Sequence, residues 1–375
     1  MKIEKKLNER NYALDFFKII ATILIVWHHY QQSLEIKFNR INFYYGKFYF
    51  GYLVELFFAI SGFLMFKYIQ KIKDGLKFKE FFVNRIVRIL PLVAIAAIIY
   101  EIIIYFYSKV FGIYFFNLKP DFWGTIISMI GVQAGWIFKN PMINNPMWYI
   151  SVLILCYIIF YIITNFSKNY IYIYIIMIFL GITIQEYAID LAFLNYYTAR
   201  GYYSFFFGLL LAIFLNNYKL KKIIIISSII NIILITFLII KHYYIIEKNI
   251  NYTLTFLYYP AFIIICHSNI IKNIFKLSLC KIIGVIAEIS FNVYVWHGGA
   301  ILILAIINKF YNLNINLNSY KTMIIFTFVL YIFGVTSYYL LEKPLKNILL
   351  KEFEKNENTL FVFENSASFF EIKRE

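Results

Sequence analysis

Ionisable side chains set inside membrane-length apolar stretches cost several kcal/mol each unless they are paired or used, so they are where chemistry is sought in this sequence. The stretch from 13 to 34 is the richest. At about 100° per residue, Lys18 and His29 fall nearly on one helical face about 16 Å apart, with Asp15, Thr22 and Gln32 within roughly 60° of that line. One long ligand could touch both ends of this polar stripe. His28 points roughly 100° away from His29 and suits a hydrogen-bonded packing role better than a shared chemical one.

Glu55, in the next apolar stretch, falls at about the depth of His29 because consecutive spans run antiparallel. A carboxylate there would orient and charge-stabilise an acid/base imidazole; the alternative is an inert ion pair with a Lys or Arg. Glu101, in the third stretch, is a rival partner at similar depth. Arg85 and Arg88, followed by Pro91, stand at the cytoplasmic entrance of that stretch, where two guanidinium groups can hold the phosphates of a soluble donor or simply anchor the helix to lipid. Further on, Ser290, Tyr294 and His297 share one helical face. Glu288 and Asn292 share the opposite one, with Glu288 near the depth of Lys18 and able to neutralise it. No His-Glu-x-x-His, phosphate-binding Gly-rich loop, Gly-x-Ser-x-Gly or cysteine cluster is present, so a histidine base acting on a bound activated donor remains. Cys156, Cys266 and Cys280 have no metal-ligand spacing and read as packing residues.

The elements that position these groups follow from composition. The 375 residues are 62% hydrophobic and 21% aromatic with a mean hydropathy of +0.70, far more apolar than a water-soluble domain. The expected fold is all-α: a polytopic transmembrane helical bundle of about ten spans, at 13–34, 48–66, 89–107, 147–165, 169–187, 200–216, 222–240, 251–268, 281–307 and 322–341. The stretch from Trp123 to Phe138 is too short and too rich in Gly and polar residues for a crossing and reads as interfacial or re-entrant, within an outer loop at 108–146 that also carries Gln133, Asn140, Asn144 and Asn145. Aromatic and amide side chains there suit a sugar surface, and an interfacial aromatic belt explains the tryptophans equally well.

Charge supports the count. With ten spans both termini are cytoplasmic, and about two-thirds of all Lys and Arg fall on that side, among them Lys2, Lys5, Lys6, Lys219, Lys221, Lys222, Lys276 and Lys281. The net charge of +16 is spread over these loops rather than gathered on one domain, which speaks for helix orientation and the lipid bilayer and against nucleic acid. The first span carries Asp15 and Lys18 and no small-residue cleavage site, so it is read as retained. The domain organisation expected is one transmembrane domain over 1–350 and a polar cytoplasmic tail over 351–375.

Six elements in order resemble the membrane acyltransferase-3 family of bacterial sugar and cell-wall O-acyltransferases, and the resemblance spans nearly the whole chain. Leu14, Asp15, Lys18, Ala21 and His29 are similar to its opening signature. Val54, Glu55, Leu56, Phe57, Phe58, Ser61, Gly62, Phe63 and Leu64 are similar to its second-span motif. Asn84, Arg85, Arg88, Ile89 and Pro91 resemble its third-span entrance, and Trp148 begins a segment like its tryptophan motif. Ser290, Tyr294, Trp296 and His297 resemble its late Ser and Tyr-Leu-x-His helix, and Ser337, Tyr338, Glu342, Lys343 and Pro344 its closing Glu-Lys-Pro. Two features depart from the pattern: the glutamate many members carry after the tryptophan motif is absent, Leu153 lying near its place, and there is no C-terminal hydrolase-like domain.

The resemblance implies ten core helices in the bacterial cytoplasmic membrane, no permanently bound cofactor, acyl-CoA (above all acetyl-CoA) entering from the cytoplasm as donor, and His29 as the essential histidine. It also favours Glu55 and the arginine pair, with a glycan or lipid-linked glycan as acceptor and a separate transferase or glycan-assembly protein as a further partner. In the expected mechanism Arg85, Arg88 and Lys18 hold the phosphate end of coenzyme A, His29 deprotonates a sugar hydroxyl and Glu55 stabilises the imidazolium; a covalent acyl-histidine is the alternative. A transporter or flippase of lipid-linked glycans is the rival from another class, and a non-catalytic scaffold is the third.

Overall fold

The computed structural model describes residues 10–115, 118–138, 143–217, 221–275, 280–353 and 355. The expectations placed on Lys2, Lys5, Lys6, Asn140, Lys219, Lys276, the side chains of Cys280 and Lys281, and the tail from 356 onward lie outside the described residues.

Twelve helical elements carry the argument: α1 Tyr12–Leu34, α2 Leu53–Lys73, α3 Phe78–Phe111, α4 Phe122–Met129, α5 Trp148–Phe166, α6 Tyr170–Glu186, α7 Tyr196–Asn217, α8 Lys222–Lys241, a broken segment α9 over Tyr243–His267, α10 Asn269–Ile274, α11 Cys280–Phe310 and α12 Tyr320–Ser337. Among the described residues there is no strand, only an isolated bridge between Leu191 and Leu194. Local chemistry sets the boundaries. Asn11 Oδ1 accepts from the Leu14 N–H at the start of α1, and Gly112 ends α3 with a left-handed φ of 67° that glycine adopts without Cβ strain.

Among the described residues, nine helices are long and apolar enough to cross a membrane. The 17-residue α6 falls below that length, yet it lies antiparallel along α7: Tyr174 contacts Phe206 with ring centroids 5.5 Å apart, and a Cβ on Gly181 would sit 2.8 Å from the Ala199 carbonyl oxygen. At 1.5 Å rise per residue it is about 25 Å long, enough to accompany its neighbour across most of the hydrocarbon core. The ten spans of the sequence reading are therefore all found as helices.

The core sits around α5, α7 and α11, whereas α8 presents Ile223, Ile226, Ile230 and Ile233 outward, a face that lipid covers. α2 and α7 cross with their backbones touching: a Cβ on Gly62 would fall on the Phe205 carbonyl, and one on Gly208 on the Ala59 carbonyl.

After α3, the chain turns back into the bundle. The Glu101 carboxylate of α3 interacts with Thr125 of α4, and Gly131, with a φ of 73°, lies against Leu90 of α3 and Ile154 of α5. Leu90 is eleven residues below Glu101, so the segment descends about 16 Å along α3 before returning. On the way back, Ser151 Oγ donates to the Ala134 carbonyl at 2.5 Å and Trp136 Nε1 to the Ser151 carbonyl at 3.0 Å. Irregular backbone at this depth is tolerated because protein encloses it.

Candidate functional site

At the end of the bundle where α1 begins, α1, α2, α3, α5 and α11 surround a cavity of about 300 Å³. Among the described residues its lining includes Lys18, Lys67, Arg85 and Arg88 and no carboxylate; deeper in it come the hydroxyl groups of Thr22, Ser61, Tyr149, Tyr157, Ser290 and Tyr294. A second cavity of about 390 Å³ shares Lys18, Lys67 and Arg88 with the first and extends toward Arg10, Asp15, His267 and Glu288. The Arg85 guanidinium lies over Tyr68, 4.1 Å from the ring centroid, while its Nε and Nη2 are buried with no hydrogen-bond acceptor. Buried guanidinium N–H groups are costly to leave unpaired, so this side chain is ready for an anion.

Arg88 is held from the opposite side. Its Nε lies 3.7 Å from Glu342, which also accepts from Asn292. Asn292 Oδ1 accepts in turn from Ser337 at 2.7 Å, and Ser337 Oγ accepts from Trp296 Nε1 at 2.7 Å. The expected Lys18–Glu288 neutralisation is replaced by a different pairing: Lys18 bonds Asp15 on its own helix at 3.0 Å, and Glu288 is taken by Arg10 at 2.6 Å. A partner one helical turn away and a guanidinium from the N-terminal segment both reach these acids first.

Farther along both helices, His29 of α1 meets His297 of α11, ring centroids 5.0 Å apart and tilted by 34°. His29 Nδ1 lies 2.8 Å from Gln32 Oε1, one turn on, and His297 Nδ1 lies 2.5 Å from the Tyr294 carbonyl. Both partners are carbonyl oxygens, so each Nδ1–H donates to its acceptor and the Nε2 lone pair of each ring is free to act as a base. His297 Nε2 is buried without a partner, and His29 is only half-buried. His28, fully buried, bonds the Phe43 carbonyl through Nδ1 at 3.0 Å and packs edge-on against Tyr44 and Tyr49.

Neither expected carboxylate reaches His29. Both oxygens of Glu55 are taken by Arg200 of α7, from Nε at 2.6 Å and Nη2 at 2.8 Å, with Tyr203 at 3.3 Å as a third donor. A bidentate, enclosed guanidinium outcompetes a neutral imidazole for a buried carboxylate. Glu101 turns to α4 instead. Trp148 lies under the Arg200 guanidinium at 4.8 Å, so the tryptophan serves the ion pair. Arg200 is the residue that sequence reasoning missed; its signal was a charge at the first position of a span, which demands an acid elsewhere in the bundle.

A family model described as an acyltransferase domain, the acyltransferase-3 type, matches residues 11–343 of this chain. The chain belongs to the acyltransferase-3 family. It is an acyltransferase, and its helices make it a multi-pass membrane protein. No curated protein and no solved structure matches it. The matched region takes in every residue of both cavities except Arg10, and both histidines of the pair.

Proposed function

We propose that this acyltransferase moves an acyl group, acetyl above all, from cytoplasmic acyl-CoA to a hydroxyl of a cell-surface polysaccharide or its lipid-linked precursor, in the bacterial cytoplasmic membrane. The observation that carries this reading is the acid-free cavity with four cations at its mouth and hydroxyl groups farther in. Coenzyme A has the same order of chemistry: phosphates at one end, then an arm of amides that needs scattered hydrogen-bond partners, then the thioester. Lys18, Arg85 and Arg88 bind the phosphates, and the arm follows the cavity toward the histidine pair.

His29 Nε2 removes the proton from the acceptor hydroxyl as its oxygen attacks the thioester carbonyl. The carbon–sulfur bond then breaks, and the imidazolium returns the proton to the departing thiolate, giving an O-acyl ester and free coenzyme A. Glu55 acts at a distance, fixing α2 to α7 through Arg200. A donor-binding group and an acceptor base predict different losses. Purified His29→Ala should lose on the order of 10²-fold or more in kcat while still binding acetyl-CoA, and His28→Ala should fall far less. Equal losses at the two positions in coenzyme A release assays would remove His29 from this role. Comparison of surface glycans by mass spectrometry with and without the gene identifies the acceptor through a missing acetyl mass.

A further inference from the structure

Resting on the acyl-CoA reading above, we infer that Phe57, Tyr149 and Tyr294 form a filter for acyl length between the donor cavity and the histidine pair, passing acetyl and rejecting long chains. All three rings line the cavity. Their centroids are 6.1 Å (Phe57–Tyr149), 5.7 Å (Tyr149–Tyr294) and 6.4 Å (Phe57–Tyr294) apart, each within the contact range of aromatic pairs, so the three rings close a triangle.

Two of the three are anchored. The Tyr294 hydroxyl donates to the Pro146 carbonyl at 2.5 Å, and the Tyr149 hydroxyl lies 3.3 Å from Ser61 Oγ. Phe57 has no polar group to tie it. The Tyr294 ring is 5.5 Å from His297, which stands 5.0 Å from His29, yet neither histidine lines the cavity. One layer of rings therefore separates the donor arm from the base.

A thioester whose carbonyl approaches His29 must place its acyl group among these rings. Acetyl brings a single methyl beyond the carbonyl, which a small shift of Phe57 accommodates. An eight-carbon chain would have to displace a hydrogen-bonded tyrosine from a close-packed interior. The filter is set by ring bulk at three positions, independently of the cations that hold the phosphates.

The test measures kcat/KM for acetyl-CoA and octanoyl-CoA, read as coenzyme A release in native membrane vesicles that hold the acceptor. Wild-type protein should favour acetyl by on the order of 100-fold, and Phe57→Ala should reduce that preference by about tenfold or more. Phe57→Leu, which leaves more of the core filled, should move the ratio in the same direction and serves where the alanine variant does not fold. A purely structural role for Phe57 would lower both donors equally and leave the ratio fixed. An unchanged ratio in a variant that still consumes acetyl-CoA, or a wild-type protein that accepts octanoyl as readily as acetyl, would overturn the filter. Consumption of neither donor by the wild-type vesicles would instead bring down the acyl-CoA reading itself.

Discussion

Arg200 changes what Glu55 means. With both carboxylate oxygens on a guanidinium that is itself buried over Trp148, this pair joins α2 to α7 inside the bundle. Removing one partner strands the other's charge, a loss of roughly 3–5 kcal/mol for buried pairs. Glu55→Gln should therefore give a protein with a markedly lower melting temperature in detergent, and Arg200→Gln on top of it should restore part of the loss; normal stability with reduced kcat would return Glu55 to a direct chemical role. A second expectation concerns Arg85, which lines the cavity and whose Nε and Nη2 are buried and unpaired. Arg85→Ala should raise the KM for acetyl-CoA about tenfold or more with little change in kcat, because phosphate contacts are made equally in ground and transition states. Normal donor KM with reduced membrane yield would make Arg85 a lipid anchor. The stripe from Asp15 to Gln32 was legible in the sequence because it lies on a single helix, where angle and rise follow from spacing. The Glu55–Arg200 and His29–His297 meetings were not, since periodicity within each helix says nothing about which helices adjoin.

Helix ends run past the spans read from hydropathy. The sequence placed the third span at 89–107, which lies inside the longer α3 from Phe78 to Phe111, with Arg85 and Arg88 lining the cavity and Pro91 accommodated within the helix. Glu342, Ser337 and Trp296, singled out by resemblance without a role, turn out to be links of one buried chain that ties α12 and α11 to Arg88. The α2–α7 crossing depends on two glycines that hydropathy cannot distinguish from other small residues. A methyl at Gly62 or Gly208 would occupy the space of a carbonyl group on the facing helix, which neither a rotamer change nor a side-chain shift can relieve. Gly62→Ala and Gly208→Ala should each destabilise by about 1–3 kcal/mol or more, seen as a lower thermal midpoint in detergent. Gly299→Ala is the control, its new Cβ meeting Tyr100 at an ordinary 3.4 Å; equal midpoints for all three variants would mean the helices separate at no cost.

For the whole molecule, the number of crossings decides on which side each end of the site lies. If α6 crosses, ten spans put the cavity mouth at Arg85 and Arg88 on the side of both termini, and the short connection at 311–319 on the other. If α6 does not cross, everything from α7 onward inverts, and α11 would have to run against the direction in which it pairs with α1. The geometry disfavours that arrangement: Arg10, at the start of α1, bonds Glu288 near the start of α11, while His29 and His297 meet farther along both, so the two helices run side by side in the same direction. Single cysteines probed with a membrane-impermeant maleimide in intact cells test the count. Lys77→Cys, between α2 and α3, should stay unlabelled until the membrane is permeabilised, and Asn312→Cys, exposed after α11, should label at once. Protection at both positions would mean nine crossings, with α6 lying within one leaflet. Labelling at Lys77 and protection at Asn312 would invert the whole bundle, turning the four-cation cavity away from the cytoplasm and from any coenzyme A.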